Sequence, residues 1–443
     1  MLYRYSVENF KSFKERAELS MIPTEEGNSH ILDQNSDIPI LKTAIIYGAN
    51  ASGKSCLIKS IEFARNIIRN NKYFNTSNNP CFRLDDESIK KPTVFNFEFK
   101  LGEKLFQYGF SFLFSKGMIL EEWLYDLVEN TPWFERAYDF KKNKYTYNFS
   151  YNGLTTEDKN RLAVYQEDMT ETKRELLLTV LGKKKFTSST FGDQIKDIIE
   201  WFNNIIIIFP NSRFRLSNAV ALDEEGINDL YKEYFKLFGI PIDNIHLEKV
   251  PIEMTGINKE TLINDKSDIL ELIEKKNIRI MHNHKGKEYL LEFNHFGDLE
   301  AKEVRFCHKK NDQGYANFAI HEESDGTQRL FDLIPALARL IKHNGIFIID
   351  EIDRSLHSLV TKHIIRCFLE RSKGLNSQLI CTTHEQLLLD ITLLRKDEIW
   401  FVDKNEKEQS NLTPLSKYKT LFLDNLEKNY LLGRYQGIPK IVI

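Results

Sequence analysis

The segment Gly48-Ala49-Asn50-Ala51-Ser52-Gly53-Lys54-Ser55 constrains the fold of this chain more than any other feature. It contains the complete G-x-x-x-x-G-K-[ST] motif, and it lies between an apolar run that ends at Tyr47 and a helical pattern over residues 54–69. A glycine loop between a strand and a helix turns backbone N–H groups toward a phosphate, and the helix N-terminus adds positive potential. The sequence therefore predicts an α/β core with a phosphate-binding loop, and the alternative is a loop with a purely structural role.

The side chains of this loop predict a site for a nucleotide and magnesium. Lys54 is expected to reach the β- and γ-phosphates, and the Ser55 hydroxyl is expected to ligate Mg²⁺. The other loop positions that we expect around the nucleotide are Gly48, Asn50, Ala51, Ser52, Gly53 and Cys56.

A second motif brings two carboxylates to the end of an apolar run. Residues 346–349 read as a buried strand, and Asp350 and Glu351 follow directly. Asp350 suits a Mg²⁺ site, and Glu351 suits a general base that polarises an attacking water. An Asp-Glu pair can also merely cap a helix. Parallel strands align their carboxyl ends at one edge of a sheet, where ligands bind. The phosphate loop at Gly48 therefore favours a functional role for this acidic pair over a simple helix cap.

Two further motifs are weaker on their own. Residues 323–329, Glu-Ser-Asp-Gly-Thr-Gln-Arg, precede a helical pattern and predict either a second anion cradle or a simple capped helix. Residues 381–385, Cys-Thr-Thr-His-Glu, end a strand at His384. Such a histidine is more often a hydrogen-bonded structural residue than a catalytic one.

The hydrophobic pattern predicts an α/β fold with a parallel or mixed core sheet, an antiparallel β lobe and a mixed helical insertion. Strong alternation over residues 93–115, with a turn at 101–103, is typical of an antiparallel hairpin. The expected domains are residues 1–154 and 306–443 as the two halves of the core, and 155–305 as the insertion. Segments 155–204 and 223–276 are expected to be helical, 287–306 and 315–321 to be strands, and the chain from residue 322 to alternate helix and strand, with a helix between strands 379–382 and 398–402.

Composition excludes several classes of protein. A formal net charge of -3, with 42% hydrophobic and 28% charged residues, is ordinary for a globular protein and argues against a nucleic-acid binder that uses its whole surface. The five cysteines form no C-x-x-C pair, so we expect neither a disulfide framework nor a zinc site, and a cytoplasmic location fits best. The longest apolar runs fall far short of the roughly 20 residues that a membrane helix needs, so no membrane partner is expected.

The order of these motifs, with Asp-Arg-Ser-Leu-His at residues 353–357 before the histidine, resembles ABC-type ATPase heads such as SMC, Rad50, RecF and the OLD nucleases. The resemblance implies that two copies of the chain clamp two ATP molecules with Mg²⁺ between them. It assigns Glu351 as the base, Asp353 to the loop that joins the two sites, and His384 as the switch histidine near the γ-phosphate.

The same resemblance assigns residues at the edges of the site. The third motif of one copy is expected to cover the γ-phosphate held by the other copy, through Ser324, Asp325 and Gly326. The opening stretch Asn9-Phe10-Lys11-Ser12-Phe13 is similar to the N-terminal strand of those heads, which places Lys11 and Ser12 near the adenine.

A narrower resemblance covers nearly the whole chain. Glu121-Glu122-Trp123-Leu124, the motifs at 323–329 and 382–385, and the tail Tyr-Leu-Leu-Gly-Arg-Tyr-Gln-Gly-Ile-Pro at 430–439 look like the bacterial AAA15/AAA21 ATP-binding proteins. These include the ATPase subunits of two-gene anti-phage systems such as AbiL and PARIS. The resemblance implies a slow ATPase that senses infection, with a phage protein as a candidate trigger, and that controls a separately encoded effector, often a Toprim-type nuclease.

Departures from the wider superfamily leave alternatives. The glutamine of the Q-loop has no assigned position, and Asp325-Gly326-Thr327 stands where transporters carry a glycine pair, which argues against transport. About 60 residues follow His384, too few for the nuclease domain of OLD proteins. The sequence contains no sustained heptad repeats, so we expect no long coiled-coil arm. A RecF- or Rad50-like repair ATPase that binds DNA remains the main alternative, and a self-contained nuclease is a third.

Overall fold

The computed structural model describes residues 1–32, 38–70, 79–151, 153–169, 173–187, 189–257, 279–294, 296, 298–311, 314–418 and 426–435. These fall into two compact units. The first comprises Met1–Pro210, Lys342–Asp353 and Leu369–Ile443, and the second comprises Asn211–Ile341 and Arg354–Phe368. The predicted helix over 258–276 and the tail residues 436–439 lie outside the described residues.

The described strands and helices follow one another along the chain in this order: β1 (Leu2–Glu8), β2 (Ala17–Ser20), β3 (Ile31–Leu32), β4 (Ile40–Leu41), β5 (Thr43–Tyr47), α1 (Lys54–Asn70), α2 (Asp86–Ile89), β6 (Thr93–Leu101), β7 (Lys104–Leu113), β8 (Met118–Asp126), β9 (Thr131–Asp139), β10 (Lys144–Asn148), α3 (Thr156–Asp168), α4 (Leu177–Gly182), α5 (Ser189–Asn203), β11 (Ile205–Ile208), α6 (Arg215–Ala221), α7 (Ile227–Leu237), β12 (Asn244–Val250), β13 (Ile280–His284), β14 (Lys287–Phe293), β15 (Leu299–Lys310), β16 (Gly314–Ala319), α8 (Asp325–Lys342), β17 (Gly345–Ile349), α9 (Ser358–Arg371), β18 (Ser377–Thr383), β19 (Ile399–Lys404), β20 (Ser410–Pro414) and α10 (Leu426–Leu431).

The core sheet of the first unit is parallel except at one edge. Its strands follow the order β11-β17-β18-β5-β19-β20, and only the β19–β20 pair is antiparallel. Every residue of β5 and of β18 is buried, as expected for parallel strands covered on both faces. The predicted core sheet is confirmed, and its order places β18 between the loop strand β5 and the acidic strand β17.

The antiparallel β lobe is a seven-stranded sheet in the order β10-β9-β8-β7-β6-β1-β2. The alternation of residues 93–115 forms the β6–β7 hairpin, and Gly102 turns the chain with a φ of 60°. One face of β6 buries Phe95, Phe97 and Phe99 in the same apolar core that receives Leu57 and Ile58 of α1. The lobe predicted from this alternation is confirmed.

The second unit has its own sheet, in which β12, β15, β14 and β13 are neighbours and β16 pairs with β15. Aromatic rings form its interior. Phe331 of α8 stacks on Tyr231 with ring centroids 5.0 Å apart, and its edge meets Phe306 at 5.4 Å. All three side chains are buried.

One predicted helix is wrong within the described residues, and another is right only in part, because α7 (Ile227–Leu237) lies within segment 223–276. Part of segment 223–276 is the strand β12, because Ile245 and its neighbours pair in register with β15 across the sheet. Only single 3-10 turns, Gln386–Leu388 and Lys396–Glu398, occupy the predicted helix after residue 382. The Glu385 carboxylate accepts from Leu387 N at 3.0 Å and that of Asp390 from Thr392 N at 2.8 Å, and such local bonds compete with helix formation.

No helix among the described residues combines the length and the apolar character that crossing a membrane requires.

Candidate active site

Three parallel strands deliver the predicted site residues to one edge of the core sheet. Tyr47, the last residue of β5, lies opposite Thr383 of β18, and Ile349 of β17 lies opposite Cys381. The phosphate loop, the acidic pair and His384 begin directly after these strands, so they share the edge where ligands bind in parallel sheets.

Lys54 is a buried lysine at this edge that interacts electrostatically with the nearby carboxylates. Its side chain is 5% exposed, and its Nζ donates to Gly48 O at 2.6 Å and to Ala49 O at 3.1 Å. Burial lowers the pKa of Lys54 to about 8, and the fields of Glu351, Asp350 and Asp353 oppose that shift. The lysine is therefore within electrostatic reach of the acidic pair and of Asp353.

The loop backbone needs its two glycines. A Cβ at Gly48 would collide with Val402 O, and Gly53 adopts a φ of +119° that L-residues rarely reach. A Cβ at Gly53 would collide with Ser410 Oγ and lie 2.8 Å from Ser12 Oγ. The backbone thus forms a cradle that a side chain would fill, and this arrangement fits a phosphate.

The remaining loop residues surround this cradle. Asn50 and Ala51 are exposed at its tip, where Ala51 has a φ of 62°. Ser52 is buried, whereas Ser55 and Cys56 are half-buried in the first turn of α1. The first N–H groups of a helix lack intrahelical partners, so this turn suits a phosphate together with a serine-bound cation.

The acidic pair is held by one hydroxyl. Asp350 is 1% exposed, and its Oδ1 accepts from Thr382 Oγ1 at 2.6 Å. The same Thr382 oxygen accepts from Glu351 N at 2.8 Å. Glu351 is half-buried and has a φ of 49°, a left-handed conformation that is uncommon outside glycine.

His384 lies beside Asp353. Its backbone N–H donates to the Asp353 carboxylate at 3.2 and 3.3 Å. Burial and then the positive charge of Lys54 lower the pKa of His384, while Asp353, Glu351 and Asp350 oppose this shift. The imidazole is therefore neutral near pH 7, and a neutral imidazole can donate one hydrogen bond and accept another.

The N-terminal turn brings Ser12 against the phosphate loop. Asn9 and Lys11 both have positive φ, and the Asn9 side chain anchors the turn by donating to Ser88 O at 2.8 Å. Ser12 O accepts from Ser410 N at 2.8 Å, whereas Lys11 is exposed. This turn and the loop residue Gly53 are thus neighbours.

The third motif belongs to the second unit, where it begins α8. Ser324 Oγ accepts from Thr327 N at 3.2 Å and therefore caps the helix. Ser324 and Asp325 are exposed, and a Cβ at Gly326 would lie 2.8 Å from Ser355 O. The predicted capped helix is therefore present. Its first turn is exposed, and the prediction that this turn binds an anion held by a second molecule stays a prediction.

Sequence reasoning missed Ser410. This serine of β20 is 2% exposed, and its hydroxyl donates to Ser52 O of the phosphate loop at 2.5 Å. Its backbone N–H also donates to Ser12 O, so one residue ties the N-terminal turn to the loop. No motif marks a serine on an edge strand far along the chain, so only the tertiary fold reveals this contact.

Replacing Ser410 with Ala is expected to weaken nucleotide binding by about 3- to 10-fold, because one hydrogen bond contributes roughly 0.5–1.5 kcal/mol and here it fixes the loop backbone. Equilibrium titration with a fluorescent ATP analogue measures the change. Thr179→Val is the matched control, since its buried hydroxyl donates to Ile68 O at 3.0 Å at the far end of α1. Equal affinities for the two variants would contradict the role of Ser410.

The residues present fit a magnesium nucleotide in which the protein supplies few metal ligands. In the part of the chain that the structure describes, no group of three or more His, Cys, Asp and Glu side chains could hold a metal ion. Mg²⁺ commonly binds to one or two protein groups and completes its octahedron with substrate phosphates and water. Ser55 and Asp350 are the residues that would hold it here.

Comparison with known proteins identifies a family model that matches residues 44–161 and 199–390, described as "AAA domain, putative AbiEii toxin, Type IV TA system". No curated protein matches the chain. Similar solved structures include an SMC head domain from Thermotoga maritima, with 12% identity, a TM-score of 0.38, and coverage of 93% of this chain and 98% of that chain. An Smc head with an extended coiled coil, bound to a ScpA domain derived from Pyrococcus furiosus, has 13% identity, a TM-score of 0.36, and coverage of 98% and 100%.

Proposed function

The chain belongs to the AAA_21 family, an AAA-type ATPase family, and from this premise we propose that it binds and slowly hydrolyses ATP as the regulatory subunit of a bacterial anti-phage system. In this proposal ATP joins two copies of the chain, and the assembly holds or releases a separately encoded effector. The observation that carries the ATPase part is the position of buried Lys54 within electrostatic reach of Asp350, Glu351 and Asp353 at one sheet edge.

The geometry suggests how these residues share the reaction. Lys54 can exchange its two backbone acceptors for β- and γ-phosphate oxygens, and Ser55 and Asp350 would hold Mg²⁺. When bound, the cation neutralises phosphate charge and orients the γ-phosphate. Glu351 orients the attacking water and accepts its proton. Neutral His384 can donate to a γ-phosphate oxygen from the neighbouring strand end.

A second copy would complete the site. The exposed Ser324 and Asp325 and the half-buried Gly326 lie at the start of α8, where the helix N-terminus offers N–H groups and positive potential to an anion. We assign these residues to the γ-phosphate bound by the partner copy, and Asp353 to the link between the two sites. Because the γ-phosphate would then bridge two chains, its hydrolysis would let them separate.

The defence role draws on the family and on the narrower sequence resemblance. The family description names a "putative AbiEii toxin, Type IV TA system", and a toxin–antitoxin system pairs two components. The resemblance to the ATPase subunits of AbiL and PARIS points to a Toprim-type nuclease as effector and a phage protein as trigger, in the cytoplasm and without a membrane partner. Two copies, or a multiple of two, are the expected assembly.

Replacing Lys54 with Ala is expected to weaken ATP binding by at least about 100-fold, because two charge-assisted hydrogen bonds to phosphate, each worth roughly 1.5–3 kcal/mol, are lost. Titration of the purified chain with ATP and Mg²⁺ measures this affinity. Lys59→Ala removes an exposed lysine from the same helix and serves as the control. Retention of ATP affinity in the Lys54 variant would refute the proposed site.

The defence role is tested in cells that carry this gene with and without its genomic neighbour. We expect resistance to phage plating only when both genes are present, and loss of resistance in the Lys54→Ala variant. The repair alternative would be favoured instead if no phage phenotype is seen and the purified chain binds duplex DNA only with ATP at physiological salt. The salt concentration matters because contacts to DNA phosphates are strongly salt-sensitive. Release of nucleotides by the chain alone would favour a self-contained nuclease.

A further inference from the structure

Thr382 occupies a central position among the site residues, yet neither the motifs nor the family match gives it a role. It lies near the end of β18, between the loop strand β5 and the acidic strand β17, and its side chain is fully buried. Its hydroxyl donates to Asp350 Oδ1 at 2.6 Å and accepts from Glu351 N at 2.8 Å. One oxygen thus contacts both members of the acidic pair.

The two bonds have different consequences. The bond to Asp350 fixes the rotation of a buried carboxylate, and it leaves that carboxylate's charge and its other oxygen available to a cation. The bond from Glu351 N stabilises a peptide group that turns sharply after the strand, where Glu351 has a φ of 49°. A non-glycine residue keeps such a conformation only when its surroundings hold it.

Only a hydroxyl can form both bonds at this position. A serine or threonine hydroxyl has one donor and two acceptor lone pairs, whereas valine has the same shape and neither function. The Thr382 backbone is held independently, because Thr382 pairs with Ile46 and its O accepts from Ile352 N at 3.0 Å. A change of side chain therefore leaves the strand in place and removes the two hydroxyl bonds.

We propose that Thr382 is a positioning residue for catalysis, which orients the Asp350 carboxylate toward Mg²⁺ and holds Glu351 in the left-handed conformation that aims the base at the attacking water. This inference rests on the proposed ATPase function. The competing explanation is that Thr382 merely satisfies a buried aspartate and a turn, in which case only stability would depend on it.

The test compares Thr382→Val with Thr382→Ser and with Thr43→Val. Thr43 is a matched control, because it is a fully buried threonine on β5 whose hydroxyl donates to Leu379 O at 2.7 Å. We expect Thr382→Val to lower kcat about 10- to 100-fold and to raise the Mg²⁺ concentration for half-maximal ATP binding several-fold. ATP affinity without metal should stay within about 2-fold of wild type. Thr382→Ser should restore both quantities to within about 3-fold.

The Mg²⁺ dependence of ATP binding separates positioning from structure, because it is measured without turnover. Thr43→Val should lower the thermal midpoint and leave kcat and the Mg²⁺ requirement unchanged. If Thr382→Val lowers only the thermal midpoint, the proposal is overturned. Should Thr382→Val not fold, Thr382→Ala removes both hydroxyl bonds without adding bulk, and an unchanged Mg²⁺ requirement in that variant would equally overturn the proposal. A wild-type chain that binds no ATP would refute the proposed function itself.

Discussion

Replacing Glu351 with Gln is expected to reduce steady-state ATP hydrolysis by about 10²- to 10⁴-fold, the range that a general base contributes, and to leave ATP affinity nearly unchanged. The amide keeps the shape of the carboxylate but cannot accept the proton of the attacking water. The Glu351 backbone bond to Thr382 does not involve the side chain, so the left-handed turn should persist. Phosphate release under saturating ATP and Mg²⁺ measures the loss.

The same variant should accumulate an ATP-bound assembly of two or more chains. Because hydrolysis is what separates the copies in the proposed cycle, a chain that binds ATP and cannot cleave it remains associated. Size-exclusion chromatography with ATP should show the larger species for Glu351→Gln and not for Lys54→Ala. Glu385→Gln is the matched control, since it neutralises a nearby carboxylate whose role is to accept from Leu387 N. If neither Glu351→Gln nor Lys54→Ala alters nucleotide-dependent assembly, the mechanism is wrong.

The parts of the site that could be predicted from the sequence are those in which chemistry is local. The phosphate loop lies between a strand and a helix, and the acidic pair follows an apolar run. In such short segments, residues that are close in sequence are also close in space, so the sequence reveals them. The parallel sheet then brings the segments of Lys54, Asp350 and His384 to one edge, because strand ends align. Ser410 and Thr382 act through contacts across strands. Thr382 lies within the segment 381–385, but no local pattern gives either residue its role.

The wrong predictions of secondary structure have the same physical origin. Charged and apolar residues mix around Asn244–Val250 in a way that fits a helix. In the structure this segment is a strand instead, because it pairs with β15. After His384, side-chain carboxylates bond to the backbone of their own turns, which a hydrophobic pattern does not report. Tertiary pairing and local capping therefore override the pattern where it is weak.

Glu122 is a buried polar residue of the β lobe and was visible in the sequence only as part of a family resemblance. Its carboxylate accepts from Arg136 Nη2 at 2.8 Å and from Tyr108 Oη at 3.0 Å, and all three side chains are buried. Burial and then the neighbouring Glu122 carboxylate raise the pKa of Tyr108 well above its ordinary value, so the phenol remains a donor. The carboxylate also accepts from Leu177 N at 2.7 Å and Leu178 N at 2.9 Å, and thereby caps α4.

Replacing Glu122 with Ala is therefore expected to destabilise the first unit by about 3–5 kcal/mol, because it leaves the buried charge of Arg136 without its partner. This is a large share of the roughly 5–15 kcal/mol that stabilises a typical protein. Urea unfolding followed by tryptophan fluorescence measures the change, and Trp133 lies in the same core. Glu121→Ala is the control, since that neighbouring glutamate is exposed, and its effect should stay within about 0.5 kcal/mol.

The double variant Glu122→Leu with Arg136→Met distinguishes a lost charge partner from lost packing. Replacing a buried ion pair by apolar residues of similar size is often neutral, because both desolvation costs disappear together. We expect the double variant to recover at least half of the stability lost in Glu122→Ala. The carboxylate's bonds from Tyr108 Oη, Leu177 N and Leu178 N remain broken in both variants, so the part not recovered measures these three bonds. A double variant as unstable as Glu122→Ala would show that the lost hydrogen bonds to Tyr108 and α4, and not the charge of Arg136, account for the effect.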